Sequence, residues 1–94
     1  MIYDPTDPEL ASLLRLSGGV GGKRVLEIGC GNGRLTRKYA PQASHVDAID
    51  PNEDKIAKAK TLAPSSEHVH YYAVALEDFQ IPQPYDLIIL AWSL

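Results

Sequence analysis

The residues with the clearest chemical content are Glu27-Ile28-Gly29-Cys30-Gly31-Asn32-Gly33. Three glycines at alternate positions follow an apolar run, Val25 to Ile28, and precede a stretch with helical spacing at Leu35 and Tyr39. Glycine lets the backbone turn tightly and lets a ligand approach the main chain closely. A helix opening from such a turn offers unpaired N–H groups and partial positive charge, which suits a carboxylate or phosphate. One helix and one strand further on, Asp50 closes the segment from His45 to Ile49. A carboxylate at that place in a strand–helix–strand unit can accept two hydrogen bonds from ribose hydroxyls.

The elements that must position these residues follow from the pattern. Asp7 and Pro8 suit a helix start, and Leu10, Leu13 and Leu14 predict a short amphipathic helix over 8–16. Ser17-Gly18-Gly19-Val20-Gly21-Gly22 ends it in a flexible lead-in, so residues 1–22 read as a preface to an α/β domain over 23–94. Strands are predicted over 25–28, 45–49, 68–74 and 85–92, numbered one to four in chain order. Helices are predicted over 32–40, stopped by Pro41, and from Asn52 to Pro64, with Asn52 as its cap. In the second helix Glu53 and Asp54 lead and Lys55, Lys58 and Lys60 follow, an order that suits the helix dipole. The continuous apolar run Leu87 to Trp92 reads as a central parallel strand buried on both faces. Alternation of strands and helices gives an α/β fold.

Composition excludes several other readings. The net charge of −3 argues against electrostatic capture of nucleic acid, and no apolar run is long enough to span a bilayer. The single cysteine, Cys30, allows neither an internal disulfide nor a cysteine zinc site, and reads as a small residue packed under the loop. No signal peptide is evident, so a cytoplasmic setting is the default. His68 and His70 share a strand face without a third metal ligand; no metal site is assigned. Gly18 to Lys23 is not a phosphate-binding P-loop, because it precedes the strand, starts from Ser17 and ends in Arg24. A dinucleotide fingerprint would need glycine at Arg34, which disfavours a nicotinamide enzyme.

Val25 to Thr36 resembles motif I of the class I methyltransferases that use S-adenosylmethionine. Ala48-Ile49-Asp50-Pro51-Asn52 is similar to that family's second strand and ribose acid. Tyr85-Asp86-Leu87-Ile88-Ile89 is similar to the start of its fourth strand. The resemblance covers residues 23 to 92 and implies a Rossmann-like, partly parallel sheet in the order 3-2-1-4, incomplete beside the family's seven strands. It implies that the Gly29, Cys30, Gly31 and Gly33 loop contacts the methionine portion of the cofactor, with Glu27 near its amino end. It also implies that Asp50 binds the ribose and that Pro51 and Asn52 flank the adenine. Where the family has an acid facing the adenine amine this chain has Ala75; Glu77 or Asp78 can substitute, and the Leu76 N–H can pair with the ring. Ala91 stands where a backbone carbonyl meets the cofactor amino group.

The reaction implied is in-line transfer of a sulfonium methyl group to an acceptor that the sequence does not identify. No catalytic base is assigned. The alternatives are a non-catalytic S-adenosylmethionine- or nucleoside-binding module, an inactive truncated fragment, and, less favoured, a nicotinamide-type Rossmann enzyme. With 94 residues the fourth strand is expected to be an open edge. Leu87, Ile88, Ile89 and Leu90 are each worth about 1.5–3 kcal/mol when fully buried. A truncated product, or a homo-oligomer paired through the fourth strand, is therefore expected.

Overall fold

The protein is described from a computed structural model that covers residues 2–3, 19–63 and 67–91. The expected helix over 8–16 and the expected helix stop at Pro64 lie outside these residues. Five strands form one sheet: β1 (Ile2–Tyr3), β2 (Arg24–Ile28), β3 (His45–Asp50), β4 (Val69–Ala73) and β5 (Leu87–Leu90). Their order is β1-β5-β2-β3-β4 and every ladder is parallel. The four expected strands therefore lie in the expected order 3-2-1-4. The difference is at the expected open edge, where Ile2 and Tyr3 pair with Ile88 and Ile89. The backbone groups of β5 thus have partners on both sides over these residues, and the edge expectation is corrected. A two-residue strand carries no periodic signal, which is why the pattern did not reveal it.

Two helices lie between strands: α1 (Thr36–Tyr39), continued by a 3₁₀ turn over Ala40–Gln42, and α2 (Glu53–Leu62). Both cover the same face of the sheet. Tyr39 and Ala40 from the first, and Ile56 and Ala59 from the second, join Val25, Val46, Ala48, Tyr71, Leu87 and Ile89 in one buried cluster. Asn52 caps α2 as expected, its side chain accepting from the Lys55 N–H. α1 is shorter than its predicted span of 32–40, because the chain continues in turns through Leu35. Pro41 does not stop the helix from outside; it lies within the 3₁₀ turn, where a missing N–H is tolerated.

On β5, Leu87 and Ile89 are buried while Ile88 and Leu90 are half-buried. The run is thus fully covered on the helix face and only partly on the other, a departure from the expected burial on both sides. That second face carries Leu26, Asp47 and Ile49, all buried.

Candidate functional site

The segment leaving β2 leads to β3 on one side, and the segment leaving β4 crosses to β5 on the other. Strand order reverses between β2 and β5, and the crevice outside the carboxyl ends at such a point is where open α/β sheets bind ligands. The glycine loop and Ala91 meet there. The Ala91 N–H donates to the Ile28 carbonyl at 2.7 Å. Its carbonyl oxygen points at Gly29, whose φ is +81°, and a Cβ on Gly29 would sit 2.2 Å from it. Gly33, also at φ +81°, is backed by the Tyr71 hydroxyl, 2.9 Å from where its Cβ would be. Both positions need glycine for backbone angle and for space.

Asp50 is brought to the same loop. Its Oδ2 accepts from the Gly31 N–H at 2.9 Å and its Oδ1 from the Asn52 N–H at 2.8 Å. The carboxylate is 5% exposed. Each oxygen retains a second lone pair for a ligand hydroxyl. The Val74 N–H donates to the Asp50 carbonyl at 3.0 Å, which ties the segment after β4 to this corner. That segment carries Leu76 and Glu77 in a 3₁₀ turn over Leu76–Asp78, both exposed. Pro51 and Asn52 are exposed beside Asp50, and the Asn52 side chain is engaged as the α2 cap.

The expectation that loop amides wait for an anion is corrected. Gly29 and Cys30 both donate to the Ile49 carbonyl, Gly33 donates to the Cys30 carbonyl, and Arg34 donates to the Asn32 side chain. The loop folds back on the end of β3, so its glycines make room rather than supply an array of donors. α1, of four residues, has too few aligned peptides to act as an anion-binding helix.

Glu27 lies beneath α1 and is fully buried. Its Oε1 accepts from the Thr36 hydroxyl at 2.8 Å and from the Tyr39 hydroxyl at 2.7 Å, while Oε2 is buried with no partner. Burial raises the Glu27 pKa, and the two hydroxyl donors oppose that rise. Cys30 is buried as expected, and burial together with the nearby Glu27 and Asp50 carboxylates pushes its thiol up. Sequence reasoning missed Thr36, Tyr39 and Tyr71. Thr36 and Tyr39 stand three apart on one helical turn, a spacing that puts both hydroxyls on the face turned to β2.

A second polar cluster was also missed, on the opposite face of the sheet. Asp47, 1% exposed, accepts from the Tyr85 hydroxyl at 2.5 Å, and its other oxygen is 2.8 Å from His45 Nε2. Arg24 is 3.8 Å from Asp47 and lies over the Tyr85 ring. Next in the chain, Asp86 accepts from the Arg24 N–H and donates its own N–H to the Arg24 carbonyl, both at 2.8 Å. Tyr85-Asp86 therefore sets β5 against β2 in its register. Among the described residues no group of three His, Cys, Asp or Glu side chains is placed to hold a metal ion, and no helix is long and apolar enough to cross a membrane.

A parallel sheet with its order reversing beside a glycine loop, and a carboxylate closing the next strand, defines a nucleoside-cofactor fold. A family model described as a methyltransferase domain matches residues 25–94, and the chain belongs to that family. It is 40% identical over 62 residues to a ubiquinone biosynthesis O-methyltransferase of Aromatoleum aromaticum, covering 65% of this chain and 26% of that protein. An S-adenosylmethionine-dependent methyltransferase from Mesorhizobium loti superposes with a TM-score of 0.74 at 29% identity, over 90% of this chain and 40% of that one. The N-methyltransferase NodS from Bradyrhizobium japonicum, in complex with S-adenosyl-L-homocysteine, superposes with a TM-score of 0.70 at 29% identity, over 90% and 44% respectively. The chain thus spans between a quarter and a half of the length of these proteins.

Proposed function

We propose that the chain is the cofactor-binding portion of an S-adenosylmethionine-dependent methyltransferase that acts in the cytoplasm. The observation that carries this reading is the joint between Asp50 and Gly31: the acid of the second unit is held against the glycine loop, with lone pairs left for a ribose. S-adenosylmethionine, when bound, supplies a methyl group on a sulfonium already activated for in-line displacement. The residues present fit such a ligand. Gly29 and Gly33 let the loop close against the Ala91 carbonyl and the Tyr71 ring, where a side chain would push it out of this shape. Asp50 holds the ribose, Pro51 and Asn52 lie to one side of the adenine, and Leu76 and Glu77 close the other. The Ala91 carbonyl accepts from the amino end, and Glu27 Oε2 is a buried acceptor that an ammonium group or its bridging water satisfies. The cofactor-holding unit is residues 23–94, to which Ile2–Tyr3 adds an outer strand.

Catalysis then rests on holding an acceptor in line with the methyl group, an effect worth up to roughly 7–11 kcal/mol. The named relatives divide between oxygen and nitrogen acceptors, and the acceptor of this chain is not assigned. Calorimetry with S-adenosylhomocysteine and NAD tests the reading. Binding of the first and not the second is expected, weakened about tenfold or more in Asp50→Ala and Asp50→Asn through loss of charge-assisted hydrogen bonds. Unchanged affinity in both folded variants overturns the ribose assignment. Preference for NAD overturns the cofactor class.

A further inference from the structure

A cavity of about 690 Å³ opens along the outer edge of β4, away from the crevice at Gly29 and Ala91. Its size is that of a small organic ligand site, on the order of 300–1,000 Å³. Its charged lining is of one sign. Arg37 and Lys60 are its charged lining residues, and no carboxylate lines it among the described residues. This is a local excess of positive charge on a chain whose net charge is −3. The remaining lining is largely apolar or aromatic and includes Tyr71.

Two features make it a built site. The Arg37 guanidinium is held in place, donating from Nη1 to the Asn32 carbonyl at 2.6 Å. Four further N–H donors remain on that group. The β4 backbone adds more. The His68 carbonyl accepts from Val46 and the Val74 N–H donates to Asp50, so even-numbered residues face β3 and the odd-numbered Val69, Tyr71 and Ala73 turn their peptide groups outward. No strand pairs with that edge among the described residues.

We propose that this cavity binds a small organic anion, a carboxylate or phosphate monoester on an apolar body, at a site separate from the cofactor crevice. Arg37 and Lys60 hold the anionic group and Tyr71 packs against the apolar part. Calorimetric or NMR titration of the chain with benzoate, phenyl phosphate, inorganic phosphate and benzyl alcohol tests this without any cofactor. Saturable binding is expected for at least one of benzoate and phenyl phosphate, and that anion must bind more tightly than benzyl alcohol and inorganic phosphate. Lys60 is exposed on the last turn of α2, so Lys60→Gln keeps the fold, and it is expected to weaken binding about tenfold or more. Arg37→Gln is expected to do the same, with circular dichroism reporting its fold. Failure of both anions to saturate, equal binding of the neutral alcohol or of bare phosphate, or unchanged affinity in Lys60→Gln overturns the proposal. Binding of S-adenosylhomocysteine is unaffected by Lys60→Gln if the two sites are distinct, so failure here does not bear on the cofactor reading.

Discussion

The Ala91 carbonyl oxygen lies 2.2 Å from the place a Cβ on Gly29 would occupy, closer than any side-chain carbon tolerates. The obstacle is backbone and cannot swing away. Gly29→Ala is therefore expected to lower stability by roughly 2–5 kcal/mol, combining about 1–2 for the left-handed angle with about 1–3 for the overlap. Gly33→Ala carries the same angle, but its obstacle is the end of the Tyr71 side chain, so a smaller loss is expected. Gly21 has open space around its Cβ position and no left-handed angle. Gly21→Ala is expected to be neutral or stabilising by about 0.4–1 kcal/mol. Urea denaturation of the three variants checks the order, and any other ranking counts against this account.

Glu27 gives the fold a pH dependence of known sign. Its pKa is raised by burial in the folded chain, so above the ordinary carboxylate value the unfolded chain has released a proton that the folded chain keeps. Stability then falls as pH rises from that value and levels off above the raised one. Glu27→Gln removes this slope while keeping an acceptor for Thr36 and Tyr39. Across urea midpoints from mildly acid to neutral pH, the variant is expected to gain steadily on the wild type. Parallel curves would falsify the assignment.

Tyr85→Phe separates the two halves of the Tyr85-Asp86 pair. Asp47 keeps His45 and Arg24 but loses its shortest donor. A loss of about 1–3 kcal/mol is expected from leaving a buried acceptor short of a partner. The bonds between Asp86 and Arg24 remain, so the β2–β5 register survives. Thermal melts give the loss, and amide exchange across β5 reports whether the register holds.

Cys30 is expected to be inert in the native state. It is 6% exposed, and burial with two neighbouring carboxylates disfavours the thiolate, the reactive species. Mass spectrometry after iodoacetamide treatment should show alkylation in urea and little in native buffer. Rapid native labelling would place the thiol at the surface.

Much of this site could be read from the chain because its signals are local. The loop from Glu27 to Gly33, the acid Asp50 and the cap Asn52 each sit within a few residues of the strand or helix end that uses them. What escaped was set by partners far away in sequence. Asp47 carried no signal of its own, and its burial rests on Tyr85, brought beside it by the crossover to β5, together with His45 and Arg24. Glu27 looked like a ligand contact, yet most of its hydrogen bonding is spent on Thr36 and Tyr39. The loop amides looked free because nothing in the glycine spacing shows that they fold back onto Ile49 and Asp50. α1 was read too long because Gly31 and Gly33 permit a helix start without requiring one.

The all-parallel sheet also determines how the chain reaches this structure. No two neighbouring strands can be joined by a tight hairpin, so each pairing waits for a crossover to close. Arg24 and Asp86, which fasten β2 to β5, are 62 positions apart. Such separations cost loop-closure entropy before any contact repays it, which slows folding. During synthesis the central strand β2 emerges early, yet its second neighbour is almost the last described segment to be made. Until Leu87–Leu90 arrive, Leu26 and its flanking peptide groups have an open side, and that interval is the chain's period of greatest exposure to misassociation.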